Sequence, residues 1–507
     1  MCQAYYAVDA RLVGMAVEGL YLADPLRDLR SYIEWLEERE ALIRVGEELS
    51  PVLEIPAFLR RVMYRRGPAV LFEAVKGYPG WRIAGNLFPS LELFKEALGV
   101  ERLEEVGERL TGLMGRGPPM GLMDKLRGLL DAGSLAKMLP RKTSRARFTG
   151  NVVEASAGPL EMLPAFKTWP LDGGRYLTFP LVVTRDPVDG VYNIGVYRVM
   201  IVDGSRAVIH WQIHKRGAKA YFDSSDKLPV AIVLGSDPGT LFTGVAPVPH
   251  PMDKYFFAGI VRGRGLELYE LPSGLMVPAN AEVVIEGYVR RGELAEEGPF
   301  GDHWGYYDKP VEKYPVFHVE RMYYRDDPIY YGSVVGMPPL EDAVIGKAVE
   351  RVFLPIIKML LPEVVDMDFP VYGVFQGLLV VSIRKRYPGH AKKVMSALWG
   401  LGQTSLTKII VVVDEDIDVH DMNQVIWAVS SHVNPERDVV ILQHAHTDAL
   451  DPAMTAPGLG SKLGIDATRK LPEENNGREW PRQVEEDPAV SSRIEELVDK
   501  YLPGTRA

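Results

Sequence analysis

Apolar residues over positions 26–42 (Leu26, Leu29, Ile33, Leu36) recur at three- and four-residue spacing with Glu and Arg between them, which predicts an amphipathic helix. Short apolar runs follow at Ala69–Phe72 and Trp81–Ala84, punctuated by glycine and proline, and then a helix at Leu91–Leu98; this first region reads as α/β. Residues 102–146, rich in Lys, Arg, Gly, Leu and Met, predict helices leading into a linker. From about residue 148 to 330 the pattern changes. Strand-like runs at Leu181–Thr184, Ala207–Trp211, Val230–Leu234 and Glu282–Tyr288 stand between frequent turn signals, as in an all-β barrel or sandwich. After Gly336-Met337-Pro338-Pro339 the helical period returns. Val344, Ile345, Ala348, Val349, Val352 and Phe353 share one face, and Pro355 predicts a kink. Strands at Leu378–Ile383 and Ile409–Val413 alternate with helices at Ala391–Leu398 and Asp421–Val429, again α/β. A last amphipathic helix, Ser491–Tyr501, follows a polar arm and suits either its own domain or another subunit.

The 507 residues suffice for several cores, and 47% hydrophobic with 25% charged residues is an ordinary globular balance. A net charge of −10 speaks against a nucleic-acid partner. No run approaches the about 20 apolar residues of a membrane helix. Asp9, Arg11, Glu18 and Asp24 interrupt the apolar stretches of the N-terminus, so no signal peptide is expected, and clear patterning begins only near Asp24, leaving Met1 or Met15 as the start. One cysteine, Cys2, excludes an internal disulfide framework and fits a reducing, cytoplasmic setting. Few amides and abundant Arg, Glu, Val and Pro lean toward a thermophile.

The unusual residues concentrate in the middle. In Glu297-Gly298-Pro299-Phe300-Gly301-Asp302-His303-Trp304-Gly305-Tyr306-Tyr307, glycine and proline imply a tight irregular loop that can aim two carboxylates at one volume. An ordinary solvated turn explains the same residues equally well. Asn193-Ile194-Gly195-Val196-Tyr197-Arg198 offers an amide oxygen and a guanidinium. In an extended strand, His210, Gln212 and His214 would share a face, and an Asn oxygen, an imidazole and a carboxylate would suit Mn²⁺ or Mg²⁺. Arg198 beside Glu297 and Asp302 would keep one acid ionised, while repulsion and desolvation let the other hold a proton. His444-Ala445-His446 and the glycine-rich Gly458–Gly464 read as structural, and no Gly-x-Ser-x-Gly elbow is present.

These motifs in this order resemble the UbiD family of reversible decarboxylases. The resemblance rests on Asn193–Arg198, His214 with Gly217, Phe257-Ala258-Gly259 followed by Arg262-Gly263, Val277-Pro278-Ala279, the Glu297–Tyr307 loop, Gly389-His390-Ala391-Lys392 and Gly458–Ala467. It runs from about residue 26 nearly to the end. It implies an N-terminal α/β region (1–147), a central flavin-binding split β-barrel with the catalytic loop (148–335) and a C-terminal α/β oligomerisation domain with a terminal helix (336–507). It also implies prenylated FMN, made by a separate flavin prenyltransferase, with Mn²⁺ or Mg²⁺ at the phosphate, K⁺ nearby, and a homodimer or homohexamer. Arg198, Glu297 and Asp302 match the catalytic set, with Asp302 as proton donor where other members have Glu. Asn193 and His214 match the metal and phosphate positions. Val196, Tyr197, Arg198, Trp211, Gln212, Lys215, Arg216 and Lys392 match flavin-facing ones.

One position departs from the family. Where a metal-binding Glu is usual, this chain reads Met252-Asp253-Lys254-Tyr255. Either Asp253 replaces it as metal ligand, or the Lys254 ammonium neutralises the phosphate directly. Basic residues Lys215, Arg216 and Lys219 and the archaeal style of the chain favour trans-anhydromevalonate 5-phosphate as substrate, giving isopentenyl phosphate in the archaeal mevalonate pathway. 4-Hydroxy-3-polyprenylbenzoate or another aromatic acid is the alternative. A non-catalytic flavin protein or flavin reductase is the reading of a different class.

Overall fold

The structure, a computed structural model, describes residues 23–114, 133, 135–308 and 312–501. Cys2, the candidate starts Met1 and Met15, and the stretch 115–132 of the helices expected before the linker lie outside the described residues.

The first helix, Leu29–Glu37, is started by Asp28, whose Oδ1 accepts the Ser31 amide (2.9 Å), and it buries Leu29, Tyr32, Ile33 and Leu36 as its period requires. It lies beside a four-stranded mixed sheet in the order Leu42–Val45, Ala69–Phe72, Arg82–Gly85, Ile329–Tyr331. The fourth strand comes from far along the chain, after the central strands, so the N-terminal layer is closed by a returning segment. Ion pairs tie the layers: buried Glu282 accepts from Arg30 (3.0 and 2.9 Å) and Arg325 (2.8 Å).

The centre is an antiparallel nine-stranded sheet curled into a half-barrel. Its path runs Tyr176–Leu177, Val199–Ile201, Arg206–Ile209, Glu312–Tyr324, Val283–Glu297, Lys227–Leu234, Leu181–Arg185, Tyr192–Val196, with Asn151–Glu154 pairing beside Glu312–Tyr324. The longest hairpin fixes the site. Val283–Glu297 pairs with Glu312–Tyr324 from Val283↔Tyr324 to Glu297↔Glu312, with register shifts at Glu286/Gly287 and Val289/Leu294. Its first half is buried on both faces and its second half alternates, so the hairpin leaves the core as it approaches the Glu297 loop.

A 20-residue helix, Glu341–Leu360, leads into the C-terminal α/β domain. Pro355 sits inside this helix, which continues as one element through it. The helix Glu104–Met114 crosses it at Gly107, where a Cβ would lie 2.0 Å from the Val352 carbonyl oxygen. Beyond it stands a sheet in the order Val364–Asp368, Leu378–Ile383, Ile409–Asp414, Leu459–Asp466, Val439–His446, parallel at its centre and antiparallel at both edges. Helices His390–Trp399 and Met422–His432 pack on it, and Pro488–Tyr501 buries none of its residues. Among the described residues no helix is long and apolar enough to cross a membrane.

Candidate active site

Arg198 lies between the strands Tyr192–Val196 and Val199–Ile201, and Glu297 closes the long strand opposite. The guanidinium grips Glu297 with two parallel bonds, Nε to Oε1 (2.9 Å) and Nη2 to Oε2 (2.8 Å). Its Nη1 donates to Asp302 Oδ2 (2.6 Å), and Nη2 also meets Asp308. The Phe300 ring covers the guanidinium carbon at 4.6 Å and packs on Tyr176. His210 Nδ1 donates to Glu297 Oε2 (3.0 Å). All of these side chains are nearly closed off from solvent.

The loop is tight because each turn of it is bonded. Phe300 donates its amide to Asp308 Oδ1 (2.7 Å), Asp308 returns one to the Phe300 carbonyl (3.0 Å), and Asp302 donates to the Tyr306 carbonyl (3.0 Å). Gly301 donates to Asp172 Oδ1 (2.9 Å) and lies flat on Trp169, whose ring a Cβ would strike at 2.2 Å. The solvated-turn reading therefore fails: Glu297 and Asp302 are buried at 2% and 8% exposure.

His303 completes the set. Its Nδ1 lies 2.5 Å from Asp302 Oδ1, its Nε2 lies 3.4 Å from Asp448 Oδ2, and its ring stacks on Phe375. Asp448 also accepts from Trp304 Nε1 (3.1 Å) and from Gln376, so the C-terminal domain holds the tip of the loop.

Burial acts to raise the Glu297 carboxyl, but His210 and Arg198 outweigh it and hold it down at about 2. Burial likewise opposes the charge on Asp302, yet His303 and Arg198 keep that carboxyl below the usual carboxylate range. Burial resists the His303 cation, while Asp302 and Asp448 carry it up to about 10. The expectation that repulsion leaves one of the two acids protonated is thus corrected: the proton of the pair resides on His303. Burial does raise the carboxyls of Asp308, Asp172 and Glu341, and that of Asp342 to about 7.

The flavin-facing candidates fall into two groups. Asn193 is buried and its Nδ2 donates to Tyr197 Oη (3.4 Å), which also receives the Gly217 amide (3.3 Å). Gly195 lets the Tyr197 ring approach, since a Cβ there would lie 2.2 Å from it. Val196 packs beside Gly244, and Trp211 packs against Gly217. Arg216 Nη1 donates to the Met252 carbonyl (3.0 Å). The shared face expected for His210, Gln212 and His214 is not formed. The strand stops at Ile209, and a turn closed by Lys215 N to the Gln212 carbonyl (2.9 Å) sends His210 to Glu297 and His214 outward to His446. Lys392 stands apart from these residues: its Nζ donates to the Arg437 carbonyl (3.0 Å) on an exposed face of the C-terminal domain.

A flavin fits this surface. Trp211 Nε1 is buried without a partner beside Gly217, and Thr184 Oγ1 is likewise buried and unpartnered on the residue paired with Asn193. A divalent ion at Asn193, His214 and Asp253 fits poorly. Asp253 starts the helix Lys254–Arg262, with Oδ1 accepting Tyr255 N (2.8 Å) and Phe256 N (3.4 Å) and Oδ2 accepting Tyr192 N (3.0 Å). His214 turns toward His446, and no hydrogen bond or ring contact joins the three residues. His210, His303, Asp308 and Asp448 are site residues that sequence reasoning did not assign. Of these, His303 stood next to Asp302 and His210 stood on the face expected for Gln212 and His214; Asp308 and Asp448 carried no signal.

An arginine gripping two carboxylates on a curled antiparallel half-barrel, flanked by two α/β domains, is a buried site built for acid–base chemistry. Residues 33–110, 141–338 and 343–467 match the N-terminal, Rift-related and C-terminal domains of UbiD, described as 3-octaprenyl-4-hydroxybenzoate carboxy-lyase. The chain belongs to the UbiD family and is a UbiD-class carboxy-lyase. An uncharacterized protein of Aeropyrum pernix is 61% identical over 94% of this chain and 99% of its own. The closed form of vanillic acid decarboxylase from Sedimentibacter hydroxybenzoicus is 29% identical, with a TM-score of 0.80 over 94% of this chain and 99% of its own. The UbiD-class enzyme HmfF of Pelotomaculum thermopropionicum, solved with FMN, is 28% identical, with a TM-score of 0.75 over 92% and 98%. An evolved dimeric form of HmfF was solved with prenylated FMN.

Proposed function

We propose that this decarboxylase acts on a phosphorylated α,β-unsaturated acid, trans-anhydromevalonate 5-phosphate, releasing carbon dioxide and isopentenyl phosphate. When bound, the prenylated flavin supplies the electron sink that allows the carboxyl carbon to leave. Asn193, Val196, Tyr197, Arg198, Trp211, Gln212, Lys215 and Arg216 would hold it, and His214 would border its phosphate end. Glu297, fixed by Arg198 and His210, anchors the guanidinium. Asp302, itself ionised at rest, passes to the carbon that lost carbon dioxide the proton held on His303 Nδ1, 2.5 Å away. The observation that carries these roles is the buried Arg198 fork, which presents both acids to one face.

Arg60 supports a substrate phosphate. Its guanidinium stacks over Trp169 at 4.4 Å and has no carboxylate partner among the described residues. Trp169 in turn lies against Gly301 of the reactive loop, so this charge stands one ring away from Asp302. Lys219, a basic residue the sequence reading counted toward the site, is withdrawn by Asp186 (2.5 Å) and Asp223 (2.8 Å). An aromatic acid is the second reading, favoured by the likeness to vanillic acid decarboxylase and by the ring-rich loop tip.

The test is co-expression with a flavin prenyltransferase, followed by carbon dioxide release from trans-anhydromevalonate 5-phosphate, vanillate and 4-hydroxybenzoate derivatives. Turnover of the phosphorylated acid, with Arg60→Ala raising its KM about tenfold or more, is expected. Release from aromatic acids alone would overturn the substrate assignment.

A further inference from the structure

Lys254 is 5% exposed, and its Nζ donates to three main-chain carbonyls, Thr243 (2.9 Å), Gly244 (3.4 Å) and Ala246 (2.8 Å), at the end of the helix Pro238–Val245. Three acceptors call for three N–H groups, the ammonium form, and these bonds oppose burial and the neighbouring Arg216 and Lys215, which push the amine well below the usual lysine range. Capping those carbonyls explains the contacts, yet it leaves the surrounding charge unexplained. Lys215 and Arg216 are near enough to act electrostatically on Lys254. Among the described residues none of the three forms a close ion pair with a carboxylate, whereas nearby Lys219 forms two; Asp448 acts on Lys215, and Asp253, Asp189 and Asp186 act on Arg216, only at longer range. Lys215 also opens the helix Arg216–Asp223 without a side-chain cap of its own, and of the first-turn amides that of Gly217 is taken by Tyr197 Oη (3.3 Å). Beside that helix start, at Gly217, lies Trp211 Nε1, 4% exposed and without a partner. Three cations, a helix start and an orphaned donor gathered around one place describe an anion receptor.

Resting on the flavin reading above, we infer that Lys215 and Arg216 receive the phosphate of the flavin without a divalent ion, and that the Lys254 ammonium, held by its three carbonyls, supplies fixed positive charge behind them. The neighbouring carboxylate cannot compete for this role, since Asp253 spends both oxygens on three backbone amides. A cation built into the chain needs no ligand set around it, which agrees with the scattered placement of Asn193, His214 and Asp253.

Fluorescence titration of FMN onto the full-length apoprotein tests this, after EDTA treatment and gel filtration, with and without added MnCl₂. The wild-type Kd is expected to change less than about threefold on adding Mn²⁺, and Lys254→Glu is expected to bind FMN about tenfold or more weakly in EDTA. A wild-type affinity that rises about tenfold with Mn²⁺ would overturn the inference while leaving the flavin reading intact. It would equally be overturned by Lys254→Met that retains the wild-type melting temperature and the wild-type FMN affinity. Absence of FMN binding in every condition would remove the flavin reading and this inference with it. The wild-type comparison needs no variant to fold.

Discussion

His303 Nδ1 lies 2.5 Å from Asp302 Oδ1, and Arg198 Nη1 holds the other oxygen of the same carboxylate at 2.6 Å. Asp302 therefore stands between two cations, one of which carries a transferable proton and one of which does not. This difference separates a proton relay from a permanent anchor.

Loss of the relay has a distinct signature. Asp302→Asn keeps the shape of the loop and removes the group that passes the proton. Its kcat should fall about 100-fold or more, the usual worth of a positioned acid, while flavin content measured by absorbance stays near wild type. Near-normal carbon dioxide release by this variant would refute the role of Asp302.

The His303 cation also links folding to pH. Its pKa is raised from 6.5 to about 10, so the stabilisation from its pairing with Asp302 and Asp448 is complete below pH 6.5 and declines as the pH rises through about 10. The melting temperature of wild type should exceed that of His303→Gln by a margin that is constant near pH 6 and shrinks between pH 8 and about 10.5. A margin independent of pH would show that His303 contributes only packing.

Removing Arg198 leaves carboxylates buried without their cation. Arg198→Met should cost on the order of 3–5 kcal/mol at neutral pH, as for other broken buried pairs, and the loss should be smaller in mild acid, where the carboxylates can be neutralised. Urea unfolding at pH 5 and pH 7.5 measures both. Equal losses at the two values would show that Arg198 acts through packing alone.

Trp211→Phe removes the orphaned Nε1 and keeps most of the ring. FMN should bind about 2- to 10-fold more weakly, one hydrogen bond's worth, with the melting temperature of the apoprotein unchanged or raised. Unchanged FMN affinity would mean that Nε1 does not face the ligand.

Much of the fold was legible because its signals are local. Ala69–Phe72 and Leu378–Ile383 form strands where continuous apolar runs placed them, and Leu29–Glu37 forms a helix where the spacing and Asp28 predicted one. The strand Ile329–Tyr331 was illegible as part of the N-terminal sheet, since nothing local announces a partner at Arg82–Gly85. In the site, Arg198, Glu297 and Asp302 were named from motif and meet as expected. His214 and Lys392 point elsewhere, because a turn after Ile209 and a carbonyl at Arg437 govern them.

The sequence by itself determined the order of α/β, β and α/β regions, the family, and the identity of the arginine and the two acids, because periodicity and motif are properties of neighbouring residues. Only the tertiary structure decided where the proton sits. That depends on burial and on charges brought from His210, Asp308 and Asp448, which stand far apart along the chain and act on one another only once the hairpin and the C-terminal domain have enclosed them.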